Sequence, residues 1–384
     1  MKNLYAFAIP LLLLSSCYKT QENSRSSEKI LLDINARKEI KISSLIKKVD
    51  YIQLEKTPES IIGGVSRVLF VGDKIYVLDG HYTKSLFVFT YDGKYLYKID
   101  KQGNGPGEYG YPMHFDLESD GNIFIGDVQG QKIIEYDPYG NFIREHRINI
   151  PPDNFIVFES NRFGVGMSNV VKSETKKGSS YHNFVIVEHG EIKTKLFPIE
   201  SYLEHHAISS SRYMAVYGKK IYFHPPLTTN IYTYDLENGN SILRYEIDFG
   251  TDMPDALFFQ QNFNSIGRAY KQQGYPRYLG FSQNSEYLNI SFNAHGLDYH
   301  YFINKESKEV IGTSKDRFID DIHCGGLNIK GVVDDSFFGW FDSYEFKVMV
   351  EENREKYLRN DRLIGFVDGL EENDNPIIVK YYFK

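Results

Sequence analysis

Residues 100–136 read DKQGNGPGEYGYPMHFDLESDGNIFIGDVQGQKIIEY and decide the fold. The stretch begins with a glycine-rich turn at residues 103–109, and a short strand follows it. After a turn at Asp120 and Gly121 come two further strands, at residues 122–126 and 132–136. Short strands joined by tight turns in this order predict an antiparallel β-meander.

The same pattern recurs along the chain at a nearly constant spacing. Residues 122–127 (NIFIGD) repeat residues 74–79 (KIYVLD) after 48 positions, and residues 220–224 (KIYFH) follow after a further 98. Because 98 is close to twice 48, we expect one more unit in between, at residues 155–199. A period of about 40–50 residues built from short strands is typical of a β-propeller.

Continuing the repeat gives six blades between about residues 61 and 384. The fifth is expected at residues 278–311 and the sixth from residue 326, with strands at residues 336–341, 346–350 and 377–383. A strand at residues 51–54 would pair with the C-terminal strand and close the ring, which removes exposed sheet edges. Helical spacing in residues 252–273 and 351–372 predicts two insertions. The predicted fold is therefore all-β, a six-bladed β-propeller with short helical insertions over residues 30–384.

The composition limits the classes of partner. The chain has 30 Tyr and 27 Phe, residue types that favour strands and fill thick β cores. The formal net charge is −7, so no basic field attracts nucleic acid, and we expect no nucleic-acid partner. Cys17 and Cys324 are the two cysteines and cannot build a disulfide framework. We expect a monomer, with no cofactor and no resident metal.

The N-terminus has the features of an export signal. Lys2 precedes an apolar run at residues 4–14, far shorter than the roughly 20 residues that span a bilayer. The run ends in LSSC at residues 14–17, which resembles the bacterial lipobox, whose cysteine is acylated and becomes the new N-terminus. An ordinary signal peptide with an incidental cysteine is the alternative. We predict a signal peptide at residues 1–16, lipidation of Cys17, and a flexible lipidated tether at residues 17–29.

Several of these features together resemble a known family. The turn at residues 103–109 (GNGPGEY), with the strand that ends at Asp127, resembles NHL-type repeats. With the strand at residues 51–55 (YIQLE) and the closing ENDNP at residues 372–376, the whole chain is similar to the six-bladed β-propeller lipoproteins of gut Bacteroidetes. The resemblance implies this fold and a lipid-anchored place in the cell envelope. The outer membrane is the expected membrane, and its periplasmic and surface faces stay open as alternatives.

Five residues are candidates for ligand binding. Asp79 and Asp127 end equivalent strands and are expected at one rim of neighbouring blades, either as carboxylates that hold Ca²⁺ or sugar hydroxyls, or as turn-forming residues. His224 ends the third copy of that strand, and a propeller can gather distant histidines at one mouth. Tyr82 and Tyr111 lie in connections, where an aromatic face could stack on a sugar ring.

Two other motifs have simpler interpretations. The glycines at residues 103–107 lack the Lys-Ser/Thr pair and the helix of a phosphate loop, so we expect Glu108 to cap backbone donors in a turn. His323 and Cys324 are adjacent, and neighbours on a strand point to opposite faces, so we do not expect catalysis by this pair.

Three functions fit these patterns. We expect a binding or scaffold module whose mouth engages a glycan, a peptide or an envelope partner. The alternative enzyme, a hydrolase or lyase, requires a metal or acid cluster in which three or more His, Asp or Glu side chains converge at the channel mouth. A pure assembly scaffold would instead carry a large apolar patch on a blade edge or an insertion helix.

Overall fold

The computed structural model describes residues 27–35, 38–169, 181–204, 206, 214–262 and 264–384. The predicted signal peptide and Cys17 lie outside these residues.

An N-terminal segment runs from blade 4 to blade 6 before the first blade begins. Its elements are β1 (Glu28–Leu31), β2 (Ile40–Lys41), the short helix α1 (Ile42–Leu45) and β3 (Ile46–Gln53). β1 pairs in parallel with the outer strand of blade 4, and β3 pairs with the last strand of the chain. The segment therefore links three consecutive blades of the ring.

Blades 1 to 3 follow in chain order, each a four-stranded antiparallel sheet. Blade 1 consists of β4 (Arg67–Val71), β5 (Lys74–Asp79), β6 (Ser85–Thr90) and β7 (Tyr95–Ile99). Blade 2 consists of β8 (Pro112–Leu117), β9 (Ile123–Asp127), β10 (Lys132–Tyr136) and β11 (Phe142–Arg147). Blade 3 consists of β12 (Phe155–Glu159), β13 (Arg162–Gly166), β14 (His182–Glu188) and β15 (Glu191–Pro198).

Blades 4 and 5 are separated by the first helical insertion. Blade 4 consists of β16 (Met214–Tyr217), β17 (Lys220–Phe223), β18 (Asn230–Asp235) and β19 (Ser241–Asp248), with β1 added at its outer edge. The insertion forms α2 (Ala256–Gln261) and α3 (Ile266–Gln273). Blade 5 consists of β20 (Arg277–Gln283), β21 (Tyr287–Ala294), β22 (Leu297–Asn304) and β23 (Val310–Ser314). The predicted helical segment is confirmed, as two short helices.

Blade 6 combines both ends of the chain. A 3₁₀ turn (Lys315–Arg317) and β24 (Phe318–Ile319), which pairs with β2, lead into β25 (Gly331–Val333) and β26 (Ser336–Phe341). Helices α4 (Ser343–Glu352), α5 (Arg354–Tyr357) and α6 (Asp361–Asp368) precede β27 (Ile377–Phe383). The strand order β25-β26-β27-β3 places the N-terminal strand outermost. The predicted ring closure is confirmed, and its strand is longer than expected.

One predicted strand is wrong. Residues 346–350 lie inside α4 instead of continuing blade 6. Asp342 caps this helix by accepting a hydrogen bond from the Glu345 N–H, and Phe346 and Val350 stand one turn apart on its buried face. An apolar pair four residues apart fits a helical stripe as well as a short strand, so the cap decides the outcome.

Among the described residues, six apolar clusters lie one between each pair of neighbouring blades, and a seventh packs the first helical insertion around Phe259 and Tyr270. The second and third strands of blade 1, KIYVLD and SLFVFT, are buried almost throughout because other blades cover both of their faces. Outer strands such as β11 (FIREHR) are mostly exposed and mix charged with apolar residues. From the second and third strands of a blade to its outer strand, the composition therefore changes from apolar to mixed polar.

The alternating strand directions define two faces of the ring. The loops that join second to third strands, and those that join one blade to the next, meet at one end, which we call the upper face. Both helical insertions belong to such connections and therefore lie on the upper face. The first strand of each blade contributes to the wall of a central channel.

Candidate functional site

All five residues predicted as ligand contacts lie at the upper face. Asp79 is fully buried, and its carboxylate holds the loops around it. Oδ2 accepts hydrogen bonds from the backbone N–H of Gly63, Gly64 and Thr83 and from the Thr83 hydroxyl. Oδ1 accepts from the N–H groups of His81 and Tyr82. The geometry matches the turn-forming alternative, and the ligand-binding role of Asp79 stays a prediction.

Asp127 has the equivalent place in blade 2. It is buried, and its Oδ1 accepts a hydrogen bond of 3.0 Å from the backbone N–H of Tyr111. This bond fixes the chain just before β8 enters the channel wall. Neither Asp79 nor Asp127 lines the channel, because both carboxylates turn into their own loops. Among the described residues, no group of three or more His, Cys, Asp or Glu side chains is placed to hold a metal ion.

The upper rim of blades 1 and 2 carries an exposed aromatic patch, the rim patch, made of His81, Tyr82, Lys84 and Tyr111. Tyr82 is 75% exposed. A Cβ added to Gly64 would lie 2.8 Å from Tyr82 Cε2, so the ring rests directly on glycine backbone. His81 Nδ1 and the Tyr111 hydroxyl are 3.2 Å apart, and Lys84 Nζ lies 5.8 Å from the Tyr111 ring centroid.

His224 is not part of this patch. It belongs to blade 4, across the ring from blade 1, and its Nε2–H donates to the carbonyl of Thr228 at 2.8 Å. Burial lowers the pKa of His224 to about 4, so the imidazole is neutral near pH 7. The structure therefore brings Asp79 together with Tyr82 and Asp127 together with Tyr111, and leaves His224 apart.

The other two motifs have the structural roles expected of them. Glu108 Oε2 accepts a hydrogen bond from the Gly105 N–H, which confirms the predicted cap. The Cys324 thiol donates to the carbonyl of Met349, and burial raises its pKa. His323 Nε2–H donates to the carbonyl of Gly326. His323 and Cys324 therefore each use a backbone carbonyl as partner.

The central channel encloses a cavity of about 540 Å³. Charged or imidazole side chains on its wall are Arg67, His114, Asp116 and Lys330, and polar ones include Asn154, Gln283, Asn289 and Ser291. The only tryptophan of the chain, Trp340, also lines it. A cavity of this size with a few convergent polar groups is typical of a small-molecule site.

The charged and imidazole side chains Arg67, His114 and Asp116 differ in their hydrogen-bond partners. Asp116 Oδ2 accepts a hydrogen bond of 2.9 Å from the Val157 N–H, and burial raises the pKa of this carboxyl although Arg67 opposes the shift. Burial also lowers the pKa of Arg67. Burial and the nearby guanidinium hold the pKa of His114 well below its usual range. Within the described part of the chain, Arg67 Nε, His114 Nδ1 and Gln283 Nε2 have no hydrogen-bond partner.

Sequence reasoning missed these channel residues, although a signal exists. Arg67 opens the otherwise apolar strand RVLFV, and His114 and Asp116 alternate within PMHFDL. Both strands are the first of their blade, and the first strand faces the axis. Polar residues at alternate positions of first strands therefore indicate a polar channel wall.

Comparison with known proteins places the chain in a family. The family model described as "Domain of unknown function (DUF4934)" matches residues 28–382. The chain belongs to the DUF4934 family. No curated protein matches the sequence of this DUF4934 chain. Among its described residues, none of the helices has the length and apolar character needed to cross a membrane.

Solved structures share the fold of the DUF4934 chain. A protein of Bacteroides fragilis NCTC 9343, named for its predicted export, matches with a TM-score of 0.78 and 18% identity, over 94% of this chain and all of its own. A member of the DUF4221 family from Bacteroides vulgatus ATCC 8482 matches with a TM-score of 0.54 and 12% identity, over 91% of this chain and 99% of its own. At these identities the likeness establishes the fold and nothing finer.

Proposed function

We propose that this chain is an envelope binding module, anchored by a lipid on Cys17, whose upper rim binds a saccharide. The apolar run and LSSC at residues 14–17 support export and acylation, and the structurally similar B. fragilis protein named for predicted export agrees with that location. The GNGPGEY connection at residues 103–109 supports kinship with NHL-like propellers. The outer membrane is the proposed membrane, and the protein acts there as a monomer.

The observation that carries the binding proposal is the setting of Tyr82. One face of its ring rests on the backbone of Gly63 and Gly64, and the side chain is 75% exposed. A flat aromatic face held rigidly at a rim loses little entropy when a sugar ring stacks on it. Residues 65–67 follow this glycine pair directly and line the channel, so a ligand on Tyr82 lies beside the channel entrance.

Acylation is tested by metabolic labelling of the expressed chain with an alkyne-bearing fatty acid. We expect label on the wild-type protein and none on Cys17→Ala, because the thiol is the acylation site. Cys324→Ala is the matched control and should keep the label. Label retained by Cys17→Ala, or absent from wild type, would contradict the anchor while leaving the binding proposal intact.

Saccharide binding is tested by a thermal-shift screen of envelope and dietary glycans with the purified chain. One glycan class should raise the Tm, since a ligand that binds only the folded state stabilises it. Tyr82→Ala should weaken the affinity by about fivefold through loss of the stacking face. Tyr139→Ala is the matched control because Tyr139 is equally exposed, at 78%, but belongs to a hairpin of the opposite face.

Two outcomes would overturn the saccharide proposal. In the first, no glycan class changes the Tm. In the second, Tyr82→Ala and Tyr139→Ala bind the best glycan equally well. If the rim patch captures a peptide or an envelope protein and binds no glycan, the ligand is a protein and not a saccharide. Light scattering of the purified chain tests the monomer.

A further inference from the structure

The channel contains a cation with no protein anion in contact. Arg67 is half-buried at the channel wall. Its Nε atom is buried and has no hydrogen-bond partner, and Arg67 belongs to none of the ion pairs formed by the described residues. Asp116, the carboxylate that acts on Arg67 electrostatically, binds the Val157 N–H instead. A guanidinium whose Nε is buried without an acceptor is costly, so this arrangement favours a partner from outside the fold.

The other channel groups favour an anion as that partner. The wall carries the guanidinium of Arg67, and the carboxylate of Asp116 on the same wall already accepts the Val157 N–H. His114 and Gln283 add N–H donors, and both side chains are more than nine-tenths buried. Gln283 belongs to blade 5 and His114 to blade 2, so the donors approach from opposite sides of the cavity. Donors around a fixed guanidinium match the oxygen atoms of a carboxylate or a phosphate.

We propose that the channel is a binding site for a small anionic ligand, whose carboxylate or phosphate is held by Arg67, with His114 and Gln283 donating further hydrogen bonds. This site is separate from the rim patch and goes beyond the proposed saccharide function. The cavity of about 540 Å³ accommodates a ligand of monosaccharide size, and a neutral sugar lacks the group that Arg67 binds. Carboxylate and phosphate share this chemistry, and titration with each distinguishes them.

Trp340 supplies a direct readout. It is the only tryptophan in the sequence and lines the channel, so its fluorescence reports on channel occupancy. The purified chain is titrated with inorganic phosphate, with glucuronate, and with glucose as the neutral counterpart of glucuronate. We expect a saturable change with phosphate or glucuronate and none with glucose.

Three arginine variants test whether the anion binds at Arg67. Arg67→Met should weaken anion binding by at least about tenfold, since hydrogen bonds to a charged group are lost. Arg67→Lys keeps the charge without the planar fork and should bind with intermediate affinity. Arg147→Met removes an exposed arginine from the outer strand of blade 2 and should bind like wild type. A thermal melt of each variant confirms that it is folded.

Three results would overturn the channel proposal. The first is no saturable response to either anion. The second is an equal response to glucose and glucuronate. The third is wild-type anion affinity in folded Arg67→Met. Rim binding is read by Tm and depends on Tyr82, so either proposal can fail while the other stands.

Discussion

Asp79 at the upper rim is buried and Arg67 at the channel wall is half-buried, and these two charged residues of blade 1 differ in their hydrogen-bond partners. Asp79 accepts six hydrogen bonds from the loops that surround it. Arg67 has an Nε without a partner in the described residues and no ion pair there. We interpret the satisfied charge as structural, and we propose that the unsatisfied one serves a ligand. Hydrogen-bond partners therefore separate these two charges.

The largest loss of stability should come from replacing Asp79, the charge whose hydrogen bonds are satisfied. Asp79→Ala leaves several partly buried N–H groups of the Gly63 and Tyr82 loops without an acceptor, and we expect it to lower the free energy of unfolding by about 4 kcal/mol. Urea denaturation measures the change. Asp73→Ala, an exposed turn residue of the same blade, should be nearly neutral. A loss below about 1 kcal/mol in Asp79→Ala would break the comparison.

The next largest effect should be a loss of stability at acidic pH that depends on His224. Its folded-state pKa of about 4 lies below the ordinary 6.5, so the unfolded chain binds the proton more tightly. The contribution to stability is therefore complete above about pH 6.5 and is lost as the pH falls towards 4, by up to about 3 kcal/mol. His224→Gln should flatten this part of the curve of unfolding free energy against pH. His189→Asn, at an exposed turn, should leave it unchanged, and an identical acid limb in His224→Gln would contradict the assignment.

Replacement of two glycines by alanine tests how far stability depends on backbone conformation. Gly107 has φ +73°, and a Cβ there would stand 2.6 Å from Phe142 Cγ. Gly107→Ala should therefore cost about 2 kcal/mol of unfolding free energy. Gly365→Ala, inside helix α6 with nothing near the new Cβ, should stabilise by about 0.5–1 kcal/mol. The two alanines should move the urea midpoint in opposite directions, and shifts of the same sign would refute the backbone argument.

The smallest effect on stability is expected at Arg67, the residue proposed to bind an anion. Arg67→Met removes a half-buried cation that forms no ion pair with the described residues, so the unfolding free energy should change by less than about 1 kcal/mol or rise. Asp116 then loses the favourable charge of Arg67, and Arg67→Met with Asp116→Asn tests whether that carboxyl accounts for any loss. A drop as large as that of Asp79→Ala, not rescued in the double variant, would show that Arg67 is structural.

Sequence patterns predict the architecture well because each blade repeats the same pattern of short apolar strands and tight turns. The 48-residue step and the apolar second and third strands predict six blades, and β3 pairs with β27 as expected. The strand predicted at residues 346–350 fails because Phe346 and Val350 suit a helix face equally well, and the Asp342 cap selects the helix. The rim residues Tyr82 and Tyr111 are recognisable in sequence because they are aromatic residues in predicted connections.

The channel could not be predicted in the same way. Arg67, His114, Asp116 and Gln283 come from three blades, and although polar residues alternate in the first strands, no single strand shows which of these residues meet. The sequence by itself determined the ring, since periodic burial of short apolar strands allows few other packings. Which polar groups meet at the axis, and which of them keep no partner, was decided only by tertiary structure. Closure of the ring sets those distances, and local sequence carries no record of them.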